Sequence, residues 1–118
     1  MKTKQIEIEG LDNPVTICIM NFGFQQDFSE EVTEMTDTET RYLTGKSNIY
    51  TLVYGILKAP SLSIKEPDSL QRGLTDQEKR ARVAQIRSMD VDTAQRIKQE
   101  IAELNKVNQE INGELGKK

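Results

Sequence analysis

A single apolar stripe near the C-terminus constrains the fold more than any other feature of the sequence. Its members follow one another at alternating steps of three and four, and a helix with a turn of about 3.6 residues places them all on one face. The stripe consists of Ala94, Ile97, Ile101, Leu104, Asn108, Ile111 and Leu115. We interpret it as a core face within the chain, with the turns after Leu104 reaching another molecule. A short coiled coil is the alternative, because Asn108 holds an a-type position.

Two segments near the N-terminus predict a β-hairpin over residues 1–22. Residues 4–9 alternate, with Ile6 and Ile8 on one face, and residues 15–20 are rich in β-branched side chains. The segment between them is dense in turn formers. Helices must cover the apolar face of this hairpin, because two strands alone are marginally stable in water.

Two helical patterns occupy residues 24–58. The first is predicted over about residues 24–36, where Phe24, Phe28, Val32 and Met35 recur at helical spacing. The second is expected to be capped by Thr44 or Ser47. Its buried stripe consists of Ile49, Leu52, Val53, Ile56 and Leu57. Gly55 inside this helix costs about 1 kcal/mol relative to alanine unless a neighbouring backbone packs closely there.

Residues 74–112 are predicted to form two consecutive helices joined by a short turn. Thr75 and Glu78 have the spacing of a capping box, which marks the start of the first helix. Asp90 or Asp92 is expected to cap the second. The two helices would form an αα-hairpin.

The predicted fold is therefore of the α+β class, mostly α. An N-terminal β-hairpin packs on a bundle of about four helices that ends in the αα-hairpin. A chain of 118 residues is expected to form one domain, spanning residues 1–118. Residues 60–73, rich in Ser, Pro, Asp and Gly, are predicted to be a loop, and residues 113–118 a frayed tail.

The composition argues against catalysis and against bound cofactors. The chain has no histidine, which is the commonest general base and metal ligand, and Cys18 is its only cysteine. We expect no enzyme activity, no cofactor and no metal. The N-terminus lacks the apolar core of a signal peptide and no apolar run reaches membrane-spanning length, so the expected location is the cytoplasm.

Two short motifs suggest chemistry but have simpler explanations. Gly45-Lys46-Ser47 ends like a phosphate-binding loop, but Thr40 stands where the motif needs its first glycine. A turn leading into a helix explains the three residues. Asp90 and Asp92 could hold a metal ion, but aspartates at the start of a helix more often cap it.

Opposite charges lie in different parts of the chain. Six acidic residues and no basic one lie between Phe24 and Thr40, whereas five basic and two acidic residues lie between Arg72 and Arg87. The two groups could pair within the molecule or head to tail between copies, and head-to-tail contacts produce rings or spirals. The basic side chains of the first C-terminal helix are expected to be solvated while Val83 and Ile86 point inward.

The partner-binding residues predicted from these patterns belong to three sets. They are the acidic face, the basic helix and the last turns of the stripe. The residues are Asp27, Glu30, Glu31, Glu34, Lys79, Arg80, Arg82, Arg87, Val107, Asn108 and Ile111.

A small DNA-binding regulator is an alternative interpretation of the last two helices. Two helices joined by a short turn, with five basic residues near the first, are compatible with a helix-turn-helix. The second helix, which would enter the groove, balances its basic residues with acidic ones and would gain little from phosphate contacts. The net charge of -3 gives no general attraction to nucleic acid.

The whole arrangement from about Val15 to Asn108 resembles the small tail assembly chaperones of long-tailed bacteriophages and prophages. The likeness consists of Phe22-Gly23-Phe24 before an acidic helix, the run from Ile49 to Pro60, the helix start from Leu74 to Arg80, and the final stripe. It implies a non-enzymatic, α-rich protein that coats the tape-measure protein, engages the tail-tube subunit and self-associates in a spiral. A stable dimeric adaptor remains a further alternative.

Overall fold

The computed structural model describes the backbone of residues 2–116 and the side chains of residues 2–106. Within these residues the chain is mostly helical, with a small antiparallel sheet, so the predicted α+β class is confirmed. The strands are β1 (Thr3–Ile6), β2 (Val15–Cys18), β3 (Thr33–Met35), β4 (Thr40–Tyr42) and β5 (Ile56–Lys58). The α-helices are α1 (Phe22–Val32), α2 (Thr44–Gly55), α3 (Asp76–Arg87) and α4 (Val91–Gly116), and a 3-10 helix spans Pro60–Leu62.

The N-terminal hairpin is confirmed, but it belongs to a sheet of three strands in the order β1-β2-β5. All strands run antiparallel, and Ile17 of β2 lies opposite Ile56 of β5. As the central strand, β2 is buried along its whole length, including Thr16 and Cys18. β1 covers one edge of β2, and β5 covers the other and excludes water from it.

The prediction that the second helix includes Ile56 and Leu57 is wrong. The helix ends at Gly55, and the next three residues form β5 without an intervening loop. Periodicity cannot separate the end of a buried helix from a short buried strand. Residues 56–58 form a strand because the free edge of β2 offers their backbone groups the hydrogen bonds of a strand pair.

The first helix also ends earlier than predicted, at Val32 instead of residue 36. Residues 33–42 form a second hairpin of β3 and β4, which we call the arm. Thr36 closes its turn, since its backbone N–H donates to the Glu39 carbonyl at 2.8 Å and its hydroxyl accepts from the Glu39 N–H at 3.1 Å. Val32 and Thr33 are both β-branched, which favours the change from helix to strand.

The helix starts follow the predicted signals in two of three cases. The capping box of Thr75 and Glu78 is present at α3. At α4, Asp90 rather than Asp92 is the cap, because its carboxylate accepts from the N–H groups of the two residues after Val91. Leu43 precedes α2 without a side-chain cap, so the prediction of a cap at that helix is wrong.

The predicted loop over residues 60–73 is fastened to the core. Ile64 is buried, and Ala59 and Ile64 exchange backbone hydrogen bonds of 2.9 and 3.1 Å. The last helix runs to Gly116, past its predicted end at residue 112.

The described part of the apolar stripe is a core face, as predicted. Ile97 and Ile101 are fully buried, while Ala94 and Leu104 pack at the edge of the core. Ile101 lies against the end of α2. The side chains of Asn108, Ile111 and Leu115 lie outside the described residues.

Candidate protein-interaction surface

The predicted acidic face is divided between two elements. Asp27, Glu30 and Glu31 lie on α1, whose first turn is capped by Asn21 through its side-chain oxygen and the Phe24 N–H at 2.8 Å. Glu34 lies on β3 instead, because the helix ends before it. Glu30 and Glu34 are exposed, whereas Asp27 and Glu31 are half-buried.

One pair of the predicted acidic and basic residues meets within the molecule. Lys79 Nζ on α3 donates to Glu31 Oε1 on α1 at 2.8 Å. This hydrogen bond raises the pKa of Lys79. Burial and the Glu31 charge raise the pKa of Tyr50, and burial with Asp27 and Glu31 nearby raises that of Tyr54. Glu31 and Lys79 therefore join α1 to α3, and their charges are paired within the molecule.

Arg82 is buried, and the prediction that its side chain is solvated is wrong. Only 4% of the residue is exposed. Its two terminal nitrogens donate to four backbone carbonyls, those of Val53 (2.8 Å), Ile56, Leu57 (2.9 Å) and Lys65 (2.5 Å).

The Arg82 guanidinium compensates for the abrupt change from α2 to β5. The end of a helix leaves carbonyl groups without partners and carries partial negative charge. The guanidinium supplies donors in a planar fork and stays protonated even though burial lowers its pKa. A sequence signal for this burial existed, since Arg82 lies four residues before the buried Ile86 and shares its helix face.

The other predicted basic residues of α3 remain on the surface. Arg80 and Arg87 are exposed, and Ala81 and Ala84 between them are exposed as well. Among the described residues, neither Arg80 nor Arg87 forms an ion pair. We call these four residues the α3 face.

The arm is the most exposed regular structure among the described residues. Every residue from 34 to 42 is exposed, including two large apolar side chains, Met35 (82%) and Tyr42 (61%). Thr33 lies opposite Tyr42 and Met35 opposite Thr40, so Met35 and Tyr42 lie diagonally on one side of the hairpin. Glu34 and Arg41 occupy the other side. Sequence reasoning missed this site because it assigned Met35 to the buried stripe of a helix.

The hydrogen bonds of the arm, within the described residues, reach only its immediate neighbours. Thr33 Oγ1 donates to the Ser29 carbonyl at 2.7 Å, Leu43 N–H donates to the Val32 carbonyl at 2.6 Å, and the Tyr42 hydroxyl pairs with that of Ser47. None of these bonds involves α3 or α4. The apolar side of the arm therefore faces solvent.

Asn105 on α4 is a further polar residue that sequence reasoning missed. Its side-chain oxygen accepts from the Met20 N–H at 3.1 Å, and its amide nitrogen donates to the Cys18 carbonyl at 3.2 Å and to the Ile101 carbonyl at 2.8 Å. The amide thus fastens the end of β2 to α4. The three predicted partner residues beyond it, Val107, Asn108 and Ile111, have side chains outside the described residues.

The motifs that suggested chemistry occupy ordinary structural positions. Gly45-Lys46-Ser47 forms the first turn of α2, directly after the antiparallel arm, and its first two residues are exposed. Over the described side chains, no three His, Cys, Asp or Glu residues are grouped so that they could hold a metal ion. In that same part of the chain, no helix has the length and hydropathy needed to cross a membrane.

Comparison with protein-family models, with curated proteins and with solved structures gave no significant match.

Proposed function

We propose that this chain is a non-enzymatic assembly protein that binds other proteins through its arm. One observation carries the proposal: residues 34–42 are all exposed, and they place Met35 and Tyr42 together on one side of a projecting hairpin. Two strands on their own are marginally stable in water. A partner that covers this side would stabilise the arm as well as the complex.

Burial of Met35 and Tyr42 against a partner would contribute substantially to the free energy of binding. Burying an exposed side chain of this size contributes about 1.5–3 kcal/mol. The arm as a whole is negatively charged, because Glu34, Asp37 and Glu39 outnumber Arg41, its only basic residue. Of these acidic residues, Glu34 lies on the side opposite to Met35 and Tyr42. The partner surface would accordingly combine small or apolar side chains with positive charge.

The resemblance to phage tail assembly chaperones makes the proposal more specific. A chaperone that coats a long tape-measure protein needs repeated and reversible contacts, and an arm with two apolar residues supplies a contact of that size. Tape-measure and tail-tube proteins would then be the partners, and the cytoplasm of the host cell the location.

The DNA-binding alternative gains no support from the positions of the basic residues. Arg82 is buried, Lys79 is bonded to Glu31, and Arg96 lies 3.5 Å from Glu100. Arg80 and Arg87 remain exposed on α3, the helix that would lie outside the groove.

The proposal is tested first by the neighbouring genes, among which we expect one encoding a long tape-measure protein. That protein is then co-expressed with the wild-type chain and with the Met35→Ser/Tyr42→Ser variant. We expect the wild type to be recovered in a complex and the variant to lose it while keeping its melting temperature. Phe22→Ser is the matched control, because Phe22 is exposed at the opposite end of α1.

Equal recovery of wild type and arm variant would contradict the assignment of binding to the arm. A gene neighbourhood without tail genes would contradict the chaperone assignment.

A further inference from the structure

We infer that the free edge of β1 is a second protein-binding site, which takes an extended segment of another protein as an additional strand of the sheet. The segment carries an acidic side chain opposite Lys4. This edge belongs to a different sheet from the arm, and the inference does not depend on the function proposed for the arm.

The outer backbone groups of β1 have no partner among the described residues. The Ile19 N–H donates to the Lys2 carbonyl at 2.9 Å, so the backbone groups of Lys2 and, by strand alternation, those of Lys4 point towards β2. The N–H and C=O groups of Thr3 and Gln5 therefore point away from it. Both residues are exposed, and no hydrogen bond between described residues reaches these four backbone groups.

The other edge of the same sheet is closed. The carbonyls of Ile56 and Leu57 on β5 accept from Arg82, and Ala59 pairs with Ile64 directly after the strand. β1 contains no proline, and β2 covers it on one side only. An extended chain can therefore add to the sheet at β1, where backbone hydrogen bonds supply affinity and alternate side chains supply specificity.

The charge beside this edge selects the strand that binds. Lys4 Nζ lies 3.0 Å from Glu100 Oε2, and Arg96 Nε lies 3.5 Å from Glu100 Oε1, so one carboxylate is shared by two cations. The three side chains together carry a net charge of +1. A residue directly opposite Lys4 on an added strand has its side chain on the same face of the sheet as Lys4. An acidic side chain at that position neutralises the remaining positive charge.

The same lysine disfavours a second copy of β1 at this edge. The antiparallel register that bonds Thr3 of one chain to Gln5 of the other sets each Lys4 opposite its own counterpart, and like charges directly opposite each other repel. A lysine on a short edge strand is a common protection against the pairing of identical edges. Because this protection acts through charge, it repels β1 of another copy and attracts an acidic strand.

Titration of the isotope-labelled protein with the terminally capped peptide Val-Thr-Glu-Thr-Val, followed by NMR, tests the inference. The glutamate of the peptide would lie opposite Lys4 and its two threonines opposite Thr3 and Gln5. We expect the amide signals of Thr3 and Gln5 to shift and their exchange with solvent to slow. The peptide Val-Thr-Lys-Thr-Val should bind about fivefold or more weakly. Methylation of both threonine nitrogens in the glutamate peptide should abolish binding, because it removes the donors of the added strand.

Lys4→Glu should reverse the preference and favour the lysine peptide, and the milder Lys4→Gln should remove most of the difference between the two peptides. Lys58→Glu is the matched control, because Lys58 is exposed on β5, at the closed edge of the same sheet. It should leave both affinities unchanged, and melting curves should show that all variants are folded.

Equal affinities for the two peptides, binding of the methylated peptide, or shifts at the arm in place of Thr3 and Gln5 would overturn the inference. The absence of any shift at millimolar peptide would overturn it as well. Signals of Thr3 and Gln5 that change with protein concentration alone would show a second copy at this edge and contradict the assigned occupant. Loss of the tape-measure protein by Met35→Ser/Tyr42→Ser concerns only the arm, so either proposal can fail while the other stands.

Discussion

A methyl group added at Gly55 would lie 2.6 Å from both Cδ1 and Cγ2 of Ile101, so the last residue of α2 packs directly against α4. Ile101 is fully buried, and branching at Cβ restricts its side chain to few rotamers. A glycine is needed at this position because the Ile101 side chain approaches it closely. The sequence had suggested the approach of a neighbouring backbone instead.

Gly55→Ala is therefore expected to destabilise the protein. Overpacking a core costs about 1–3 kcal/mol, and the gain in helix propensity is about 1 kcal/mol at most, so we expect a net loss of up to ~2 kcal/mol. Urea denaturation measures it. Gly45→Ala is the matched control, because nothing lies within 4 Å of a Cβ at Gly45. Equal effects of the two substitutions would contradict the contact.

Arg82→Met is expected to cost about 3 kcal/mol or more, because four backbone carbonyls, three of them buried, lose the guanidinium as their donor. Arg82→Lys should recover only part of this, since an ammonium cannot reach all four in the geometry of a planar fork. Arg80→Met on the exposed side of the same helix should stay within about 0.5 kcal/mol of wild type. Thermal and chemical denaturation of the three variants would decide, and a stable Arg82→Met protein would refute the assigned role.

Acid is expected to weaken the start of α3 through Glu78. Hydrogen bonds from the backbone N–H groups of Thr75 and Asp68 lower the pKa of this carboxylate below its ordinary value. A lowered pKa stabilises the fold above the unfolded value of about 4.3, and this stabilisation is lost as the pH falls through the folded value.

Glu78→Gln should therefore flatten the decline in unfolding free energy below about pH 4.3 and cost about 1 kcal/mol or less at pH 7. Glu103→Gln, on an exposed part of α4, controls for the loss of one negative charge. An unchanged slope in Glu78→Gln would show that the capping carboxylate does not contribute.

Asn105→Asp is a nearly isosteric test of the link between β2 and α4. The amide nitrogen donates to two carbonyls, and a carboxylate oxygen in its place would repel them. We expect a loss of about 2 kcal/mol at pH 7. Asn48→Asp should be neutral or slightly stabilising, because Asn48 Oδ1 already accepts from Lys98 Nζ at 2.5 Å.

Cys18 provides a labelling probe of the core. Burial raises the pKa of its thiol to about 11, so only about one thiol in a thousand is ionised at pH 8. Modification by a thiol reagent should proceed at the rate at which the core opens, and destabilising variants such as Gly55→Ala should accelerate it. Rapid labelling of the folded wild type would contradict the packing of β2.

Local signals predicted the parts of the fold that local physics determines. The Thr75–Glu78 capping box, the alternation around Ile6 and the stripe through Ile97 and Ile101 each act within a few residues, and all are present. β5 and the burial of Arg82 depend on groups far apart in the chain. Ile56 becomes a strand residue because β2 has an open edge, and Arg82 turns inward because a helix ends beside it.

The candidate site was predicted only in part. The acidic residues Glu30 and Glu34 and the basic residues Arg80 and Arg87 are exposed as expected. The pairing of Glu31 with Lys79 and the position of Met35 on the arm follow from tertiary structure, which charge patterns and periodicity do not contain.

The hydrogen bonds that link Asn105 to Cys18 and Met20, at the end of β2, affect how the chain folds during synthesis. The hairpin leaves the ribosome before the helix that completes it, so the contact between Met20 and Asn105 can form only after 85 further residues have been added. Such distant closure slows folding and leaves apolar strands open to aggregation in the meantime. A C-terminal truncation before residue 97 should for that reason yield insoluble protein rather than a smaller stable domain.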